Sequence, residues 1–157
     1  MTISESGKVK LIAIDIDYTL IGSDLKISDT TKQAINAARN AGSVITLATG
    51  RMYRAAVPFA EELGLDAPLI TYDGALVKTA KTKEVYWHEP IPLEDAEEIL
   101  AQLQSLGFHI NLYVDDELYV AAINEQVRHY VAHVQVAANP VGDLLEFLSK
   151  PPTKLLM

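Results

Sequence analysis

The chain has 157 residues, of which 49% are hydrophobic and 22% charged, which is enough apolar material for one or two packed domains. Its formal net charge of −8 argues against a nucleic-acid backbone or an anionic membrane as the main partner. The absence of cysteine excludes disulfides, thiol catalysis and zinc–thiolate sites. No apolar run approaches the ~18 residues that span a bilayer and no signal-peptide core is present, so we expect a cytoplasmic protein.

The first 75 residues predict strands and helices in alternation. The predicted strands cover residues 9–16, 43–48 and 68–72, and the predicted helices cover 30–41 and 54–63. The first strand is a near-continuous β-branched run, typical of a strand buried on both faces. Ser28 or Asp29 can cap the first helix and Gly42 can end it, whereas Pro58 is expected near the first turn of the second helix. Right-handed crossovers then give a parallel sheet with helices on its faces.

After residue 75 the pattern changes to α+β. Strands are predicted at 76–79, 84–88, 110–114, 118–122 and 154–157, and helices at 93–106, 124–134 and 143–148. Asn124 can cap the second of these helices. We place a domain boundary near residue 76, which divides the chain into residues 1–75 and 76–157.

Polar residues lie at the end of each of the first three predicted strands. They are Asp15 and Asp17, then Thr49, Gly50 and Arg51, then Asp73 and Gly74. In open parallel sheets, ligands bind outside the carboxyl ends of the strands. We therefore expect these three groups to converge on one edge of the sheet, called here the strand-end rim.

The pair of acids after the first strand carries the strongest chemical signal. An ionised carboxylate is a competent nucleophile toward phosphorus, and a second one nearby can protonate a leaving oxygen and then deprotonate water. Mg²⁺ prefers carboxylate, carbonyl and phosphate oxygens and would reduce the repulsion between Asp15 and Asp17. The alternative is an ordinary surface turn. It is less favoured because two acids at the end of a buried strand need a cation or another partner to offset the cost of their charge.

The turn after the second strand offers donors for a phosphate. The Thr49 hydroxyl and the Gly50 amide can both donate to phosphate oxygens, and Arg51 and Arg54 add positive charge. The alternative is an ordinary strand-to-helix turn with a capping threonine. Likewise, Asp73 can belong to a plain turn.

The sequences D-x-D-x-T-L, L-A-T-G-R and D-G-A, each after a strand, resemble the haloacid dehalogenase (HAD) superfamily. Their order is similar to that of the Cof-like sugar-phosphate phosphatases, in which an α/β cap follows the third strand. The resemblance is specific over residues 9–75 and only architectural from 76 onward. It implies an α/β fold: a parallel Rossmann-like HAD core, incomplete with its first three βα units, and part of an inserted α+β cap domain.

The resemblance also implies roles for individual residues. Asp15 would be the nucleophile and a Mg²⁺ ligand, and Asp17 the acid/base and a second ligand through its main-chain carbonyl. Thr49 and the Gly50 amide would hold the phosphoryl group, and Arg51 would lie near the core–cap interface as part of the substrate-binding set.

This chain departs from the family pattern in what it contains and in what it lacks. Tyr18 replaces the usual glycine, and Asp73 the usual asparagine. The catalytic lysine and the G-D-x-x-N-D sequence that follow the cap in the family are absent, and Lys150 and Lys154 are poor substitutes. We therefore expect a truncated chain, or one completed by a homo-oligomer or by a missing C-terminal half.

The function that these residues predict is Mg²⁺-dependent hydrolysis of a small phosphorylated metabolite, such as a sugar phosphate or a vitamin-related phosphate. A phosphosugar mutase and a non-catalytic phosphate-binding or regulatory fragment are the alternatives. Two other groups of polar residues are expected to face solvent: His129 and His133, which lie opposite an apolar helix face, and the hairpin tip at residues 115–117.

Overall fold

The structure, a computed structural model, describes residues 8–157. Its strands are β1 (Leu11–Ile14), β2 (Val44–Leu47), β3 (Pro68–Thr71), β4 (Leu76–Thr79), β5 (Val85–His88), β6 (Asn111–Val114), β7 (Glu117–Val120), β8 (Ala138–Pro140) and β9 (Lys154–Leu156). Its helices are α1 (Asp29–Asn40), α2 (Tyr53–Glu62), α3 (Leu93–Ser105), α4 (Glu125–Val134) and α5 (Leu144–Phe147). Every predicted element is present within a few residues, and β8 is the strand that the pattern did not predict.

The first region, residues 8–75, has the predicted parallel α/β order. β1 pairs in parallel with β2, from Leu11 opposite Val44 to Ile14 opposite Leu47. β3 joins β2 through a single parallel bridge between Ala48 and Ile70. β3 also pairs antiparallel with β4, and β4 with β5, so this sheet crosses the predicted boundary.

The prediction that the first strand is buried on both faces is wrong throughout β1. Leu11 is 58% exposed, and the residues of β1 alternate between exposed and partly buried. Within residues 8–157, β2 is the only strand that pairs with β1, so one edge of β1 has no neighbour to cover it. Ile16, just beyond β1, is fully buried.

Local hydrogen bonds fix the helix ends where the sequence predicted them. The Ser28 hydroxyl accepts the Thr31 amide at 3.1 Å and begins α1, and the Asn124 side chain accepts the Val127 amide at 2.8 Å and begins α4. Pro58 contradicts its predicted place, because it is the sixth residue of α2. Helix α2 therefore forgoes one internal backbone bond in its second turn.

The second region, residues 76–157, contains a four-stranded sheet in the order β8-β7-β6-β9. One face packs against α3 and α5 through a separate apolar cluster. Residues on the other face, including Tyr113 and Leu118, share an apolar cluster with α4 and with the first region. The apolar core is thus continuous between the two regions.

Candidate active site

The backbone brings the three predicted strand ends together. The Ala48 amide donates to the Ile14 carbonyl at 2.9 Å, and the Thr49 amide donates to the Ile70 carbonyl at 2.9 Å. The turn after β3 closes on the same place, since the Asp73 amide donates to the Thr49 carbonyl at 3.2 Å. All three predicted polar groups therefore lie at the strand-end rim.

Asp15 is the first residue after β1 and is exposed. The chain turns sharply behind it, with the Leu20 amide donating to the Asp15 carbonyl at 3.1 Å. The Thr19 hydroxyl lies 3.4 Å from Asp15 Oδ2, a weak contact that leaves most of the carboxylate free. In the same turn Tyr18 has a φ of 59°, a conformation that glycine adopts more easily, and its side chain is 82% exposed.

Asp17 contacts two basic residues, Arg51 and His133. Arg51 donates through Nε to Oδ2 at 2.9 Å and through Nη2 to Oδ1 at 2.7 Å, and His133 Nε2 lies 3.3 Å from Oδ1. Arg51 is only 5% exposed, and its guanidinium lies 5.4 Å from the centre of the Phe59 ring. The Arg51 hydrogen bonds hold the pKa of Asp17 below its usual range, against the opposing effect of burial. Asp17 is therefore an ionised carboxylate here.

The turn after β2 presents Thr49 as a donor. The Arg51 amide donates to Thr49 Oγ1 at 3.2 Å, so this oxygen already accepts a bond, and its own proton has no acceptor within residues 8–157. A side chain at Gly50 would bring its Cβ within 2.7 Å of Asp73 Oδ1. The Asp73 carboxylate thus packs directly on this turn, and a side chain at residue 50 would displace it.

Three side chains of the second region reach the strand-end rim or its neighbourhood, and the sequence did not predict any of them there. His133, expected to face solvent, contacts Asp17. Lys154 Nζ lies 2.7 Å from Asp73 Oδ2 and 3.1 Å from the Gly50 carbonyl. Asp116 of the predicted solvated tip contacts the first region. No local pattern marks these contacts, because each joins residues at least 44 positions apart.

Asp116 fastens the β6–β7 hairpin to the start of α2. Its carboxylate accepts the Arg54 amide at 3.0 Å and the Tyr72 hydroxyl at 2.8 Å. The residue before α2, Met52, provides no side-chain cap, so Asp116 supplies that acceptor from a distant part of the chain. Burial raises the pKa of Asp116, and the hydrogen bond from Tyr72 opposes that rise.

Replacing Asp116 with alanine should lower the free energy of unfolding by about 1–2 kcal/mol, because the Arg54 amide and the part-buried Tyr72 hydroxyl lose their acceptor. Asp115→Ala is the matched control. Both residues have left-handed φ, 59° for Asp116 and 52° for Asp115, so the backbone cost of alanine is common to both. Within residues 8–157, the Asp115 side chain makes only an exposed pair with Lys150. Urea unfolding measures the difference, and equal losses would contradict the role given to Asp116.

The donor set at the rim fits a partly hydrated Mg²⁺. Within residues 8–157, no cluster of three or more acidic, histidine or cysteine side chains could hold a metal ion. The Asp15 carboxylate and the Asp17 main-chain carbonyl remain as the oxygen atoms that could bind such an ion, since Arg51 engages the Asp17 carboxylate. Mg²⁺ in proteins commonly takes one or two carboxylates and completes its shell with water and phosphate oxygens. These residues therefore suit an ion that keeps several water ligands, and they do not suit an ion that the protein encloses completely.

Comparison with known proteins identifies the family. The family model described as haloacid dehalogenase-like hydrolase matches residues 12–156, so the chain belongs to this family of hydrolases. The Cof-like resemblance is confirmed with it: the solved structure of the HAD subclass IIB sugar phosphatase BT4131 has a TM-score of 0.77 and 26% identity, covering 94% of this chain and 57% of that one.

Two curated relatives show how much of the family's length is present. The 5-amino-6-(5-phospho-D-ribitylamino)uracil phosphatase YitU of Bacillus subtilis is 27% identical over 96% of this chain and 56% of its own length. The pyridoxal phosphate phosphatase YbhA of Escherichia coli is 31% identical over 69% of this chain and 40% of its own. The chain spans about half the length of the curated relatives it matches. No helix within residues 8–157 has the length and apolar character that crossing a membrane requires.

Proposed function

We propose that this protein hydrolyses phosphomonoesters through an aspartyl-phosphate on Asp15. The observation that carries the proposal is the free Asp15 carboxylate beside a turn in which Thr49 has an unused hydroxyl proton. A carboxylate oxygen of Asp15 attacks phosphorus, the ester oxygen leaves with the bonding electrons, and water then cleaves the acyl phosphate to release inorganic phosphate. Mg²⁺, held by Asp15 and the Asp17 carbonyl, would supply charge neutralisation.

Asp17 is suited to the water-activating half of this cycle. Because Arg51 keeps Asp17 ionised, its carboxylate can accept a proton from the attacking water. Protonation of the leaving oxygen by Asp17 requires that it first take up a proton and give up part of its contact with Arg51. Arg51, expected to bind substrate, is therefore proposed as the residue that positions Asp17.

The substrate that we propose is a small phosphorylated metabolite. The phosphoryl group would lie against the Thr49 hydroxyl and the Gly50 amide. Relatives of this chain are named for a phosphoribityl-amine compound, for pyridoxal phosphate and for sugar phosphates. These compounds share a phosphate ester and differ in the group that it carries, so the first region would bind the common part.

The direct test is release of inorganic phosphate from a panel of phosphate esters with Mg²⁺ and, in parallel, with EDTA. The assay uses this chain and any longer polypeptide in which it occurs, since the relatives are about twice as long. We expect turnover with Mg²⁺ and none with EDTA. Transfer of phosphate to a second sugar position without release would indicate a mutase instead, and a phosphorylated Asp15 that never turns over would indicate a binding or regulatory module.

A further inference from the structure

Lys154 connects the second region to two of the three turns of the strand-end rim. It is the first residue of β9 and pairs with Tyr113 of β6. Its side chain is 23% exposed and reaches both the Gly50 carbonyl and the Asp73 carboxylate. Two of the three ammonium donors are thus committed to the first region.

The bond to the Gly50 carbonyl acts on Thr49 through one peptide group. The peptide between Gly50 and Arg51 is planar, so fixing its carbonyl also fixes the direction of the Arg51 amide. That amide donates to Thr49 Oγ1 at 3.2 Å and sets which way the hydroxyl proton can point. Lys154 therefore helps to orient the Thr49 hydroxyl, one of the donors proposed to bind a phosphoryl group.

The bond to Asp73 acts on the charge of the same turn. The Asp73 carboxylate packs on Gly50 and, left alone, would repel an approaching phosphate dianion. The Lys154 ammonium at 2.7 Å offsets that charge. The negative charge that Asp73 adds, where the family usually has asparagine, is thus offset by a lysine 81 positions later in the chain.

We propose that Lys154 is a positioning residue for phosphate binding, which holds the Thr49–Gly50 turn and offsets the charge of Asp73. Affinity for the phosphoryl group then depends on strand β9 of the second region. This inference rests on the proposed function for the identity of the ligand, and on the Lys154 contacts for everything else.

The test measures the Kd of inorganic phosphate by calorimetry on the full chain with Mg²⁺. Lys154→Met should weaken binding about 10- to 100-fold, because Asp73 is left unpaired beside the phosphate. Lys154→Arg should stay within about threefold of wild type, since a guanidinium can bridge the same two acceptors. Lys150→Met, which removes another lysine of the second region, is the matched control and should change nothing.

Asp73→Asn separates charge from structure. Alone it should tighten phosphate binding several-fold, and combined with Lys154→Met it should recover most of the loss. In steady-state assays the Lys154→Met effect should fall on KM more than on kcat. A folded Lys154→Met variant that binds phosphate as tightly as the wild-type chain would overturn the role of Lys154 and leave the proposed function standing. An Asp73→Asn variant with unchanged phosphate affinity would do the same. No phosphate binding by the wild-type chain would overturn the proposed function as well.

Discussion

Replacing Asp15 with asparagine is expected to reduce Mg²⁺-dependent phosphate release on the order of 10⁴-fold or more, because the neutral amide cannot form an acyl phosphate. Folding should be unaffected, since Asp15 is exposed and its side chain makes one weak contact, with Thr19. The loss should appear in kcat, measured from initial rates at saturating substrate.

Asp24→Asn is the control for this substitution. Asp24 belongs to the loop after β1 and its carboxylate accepts the Lys26 amide at 3.2 Å, outside the strand-end rim. It changes net charge by the same amount as Asp15→Asn and should keep nearly full activity. Turnover that survives Asp15→Asn would exclude Asp15 as the nucleophile.

The second large effect concerns stability. Replacing Arg51 with methionine should lower the free energy of unfolding by roughly 2–4 kcal/mol, because the Asp17 carboxylate loses both hydrogen bonds from the guanidinium and keeps only the longer contact with His133. Asp17 is 29% exposed, so water offsets part of the cost and the loss should be smaller than for a fully buried pair. Methionine keeps an apolar contact with the Phe59 ring, which isolates the loss of charge.

Arg54→Met provides the matched comparison in urea unfolding. Arg54 also forms an ion pair, with Glu117, but its side chain is 46% exposed, so we expect a loss below about 1 kcal/mol. Adding Asp17→Asn to Arg51→Met should recover part of the stability. An Arg51→Met chain no less stable than Arg54→Met would show that the Asp17–Arg51 pair contributes little to the fold.

The sequence predicted best what depends on neighbouring residues. Ser28 and Asn124 cap their helices because each has a short polar side chain placed before an apolar helical pattern. The convergence of Asp15 and Thr49 at one rim was predictable for a similar reason. Strand direction in a parallel sheet decides which end of each strand meets its neighbours.

Contacts between the two regions could not be predicted from pattern alone. His133 was expected to face solvent because it lies opposite the apolar face of α4. That pattern shows which side of the helix packs on the core, but it does not show that a turn distant in sequence contacts the other side. Asp116 and Lys154 were missed because nothing local distinguishes an acid at a hairpin tip or a lysine in a strand from a solvated one. Leu11 was expected to be buried because it is apolar. Its burial depends on whether a neighbouring strand covers it, and the residue type alone does not show this.

The proposed hydrolysis depends most on a bond between Asp15 and phosphorus. The chain is incubated with Mg²⁺ and a reactive phosphate donor, quenched in acid, reduced with borohydride and digested. Borohydride converts an aspartyl-phosphate to homoserine, which peptide mass spectrometry assigns to a position. We predict homoserine at residue 15 in wild type and none in Asp15→Asn. Inorganic phosphate released with every aspartate left unmodified, or homoserine at residue 17 or 73 instead, would contradict the role of Asp15 as nucleophile.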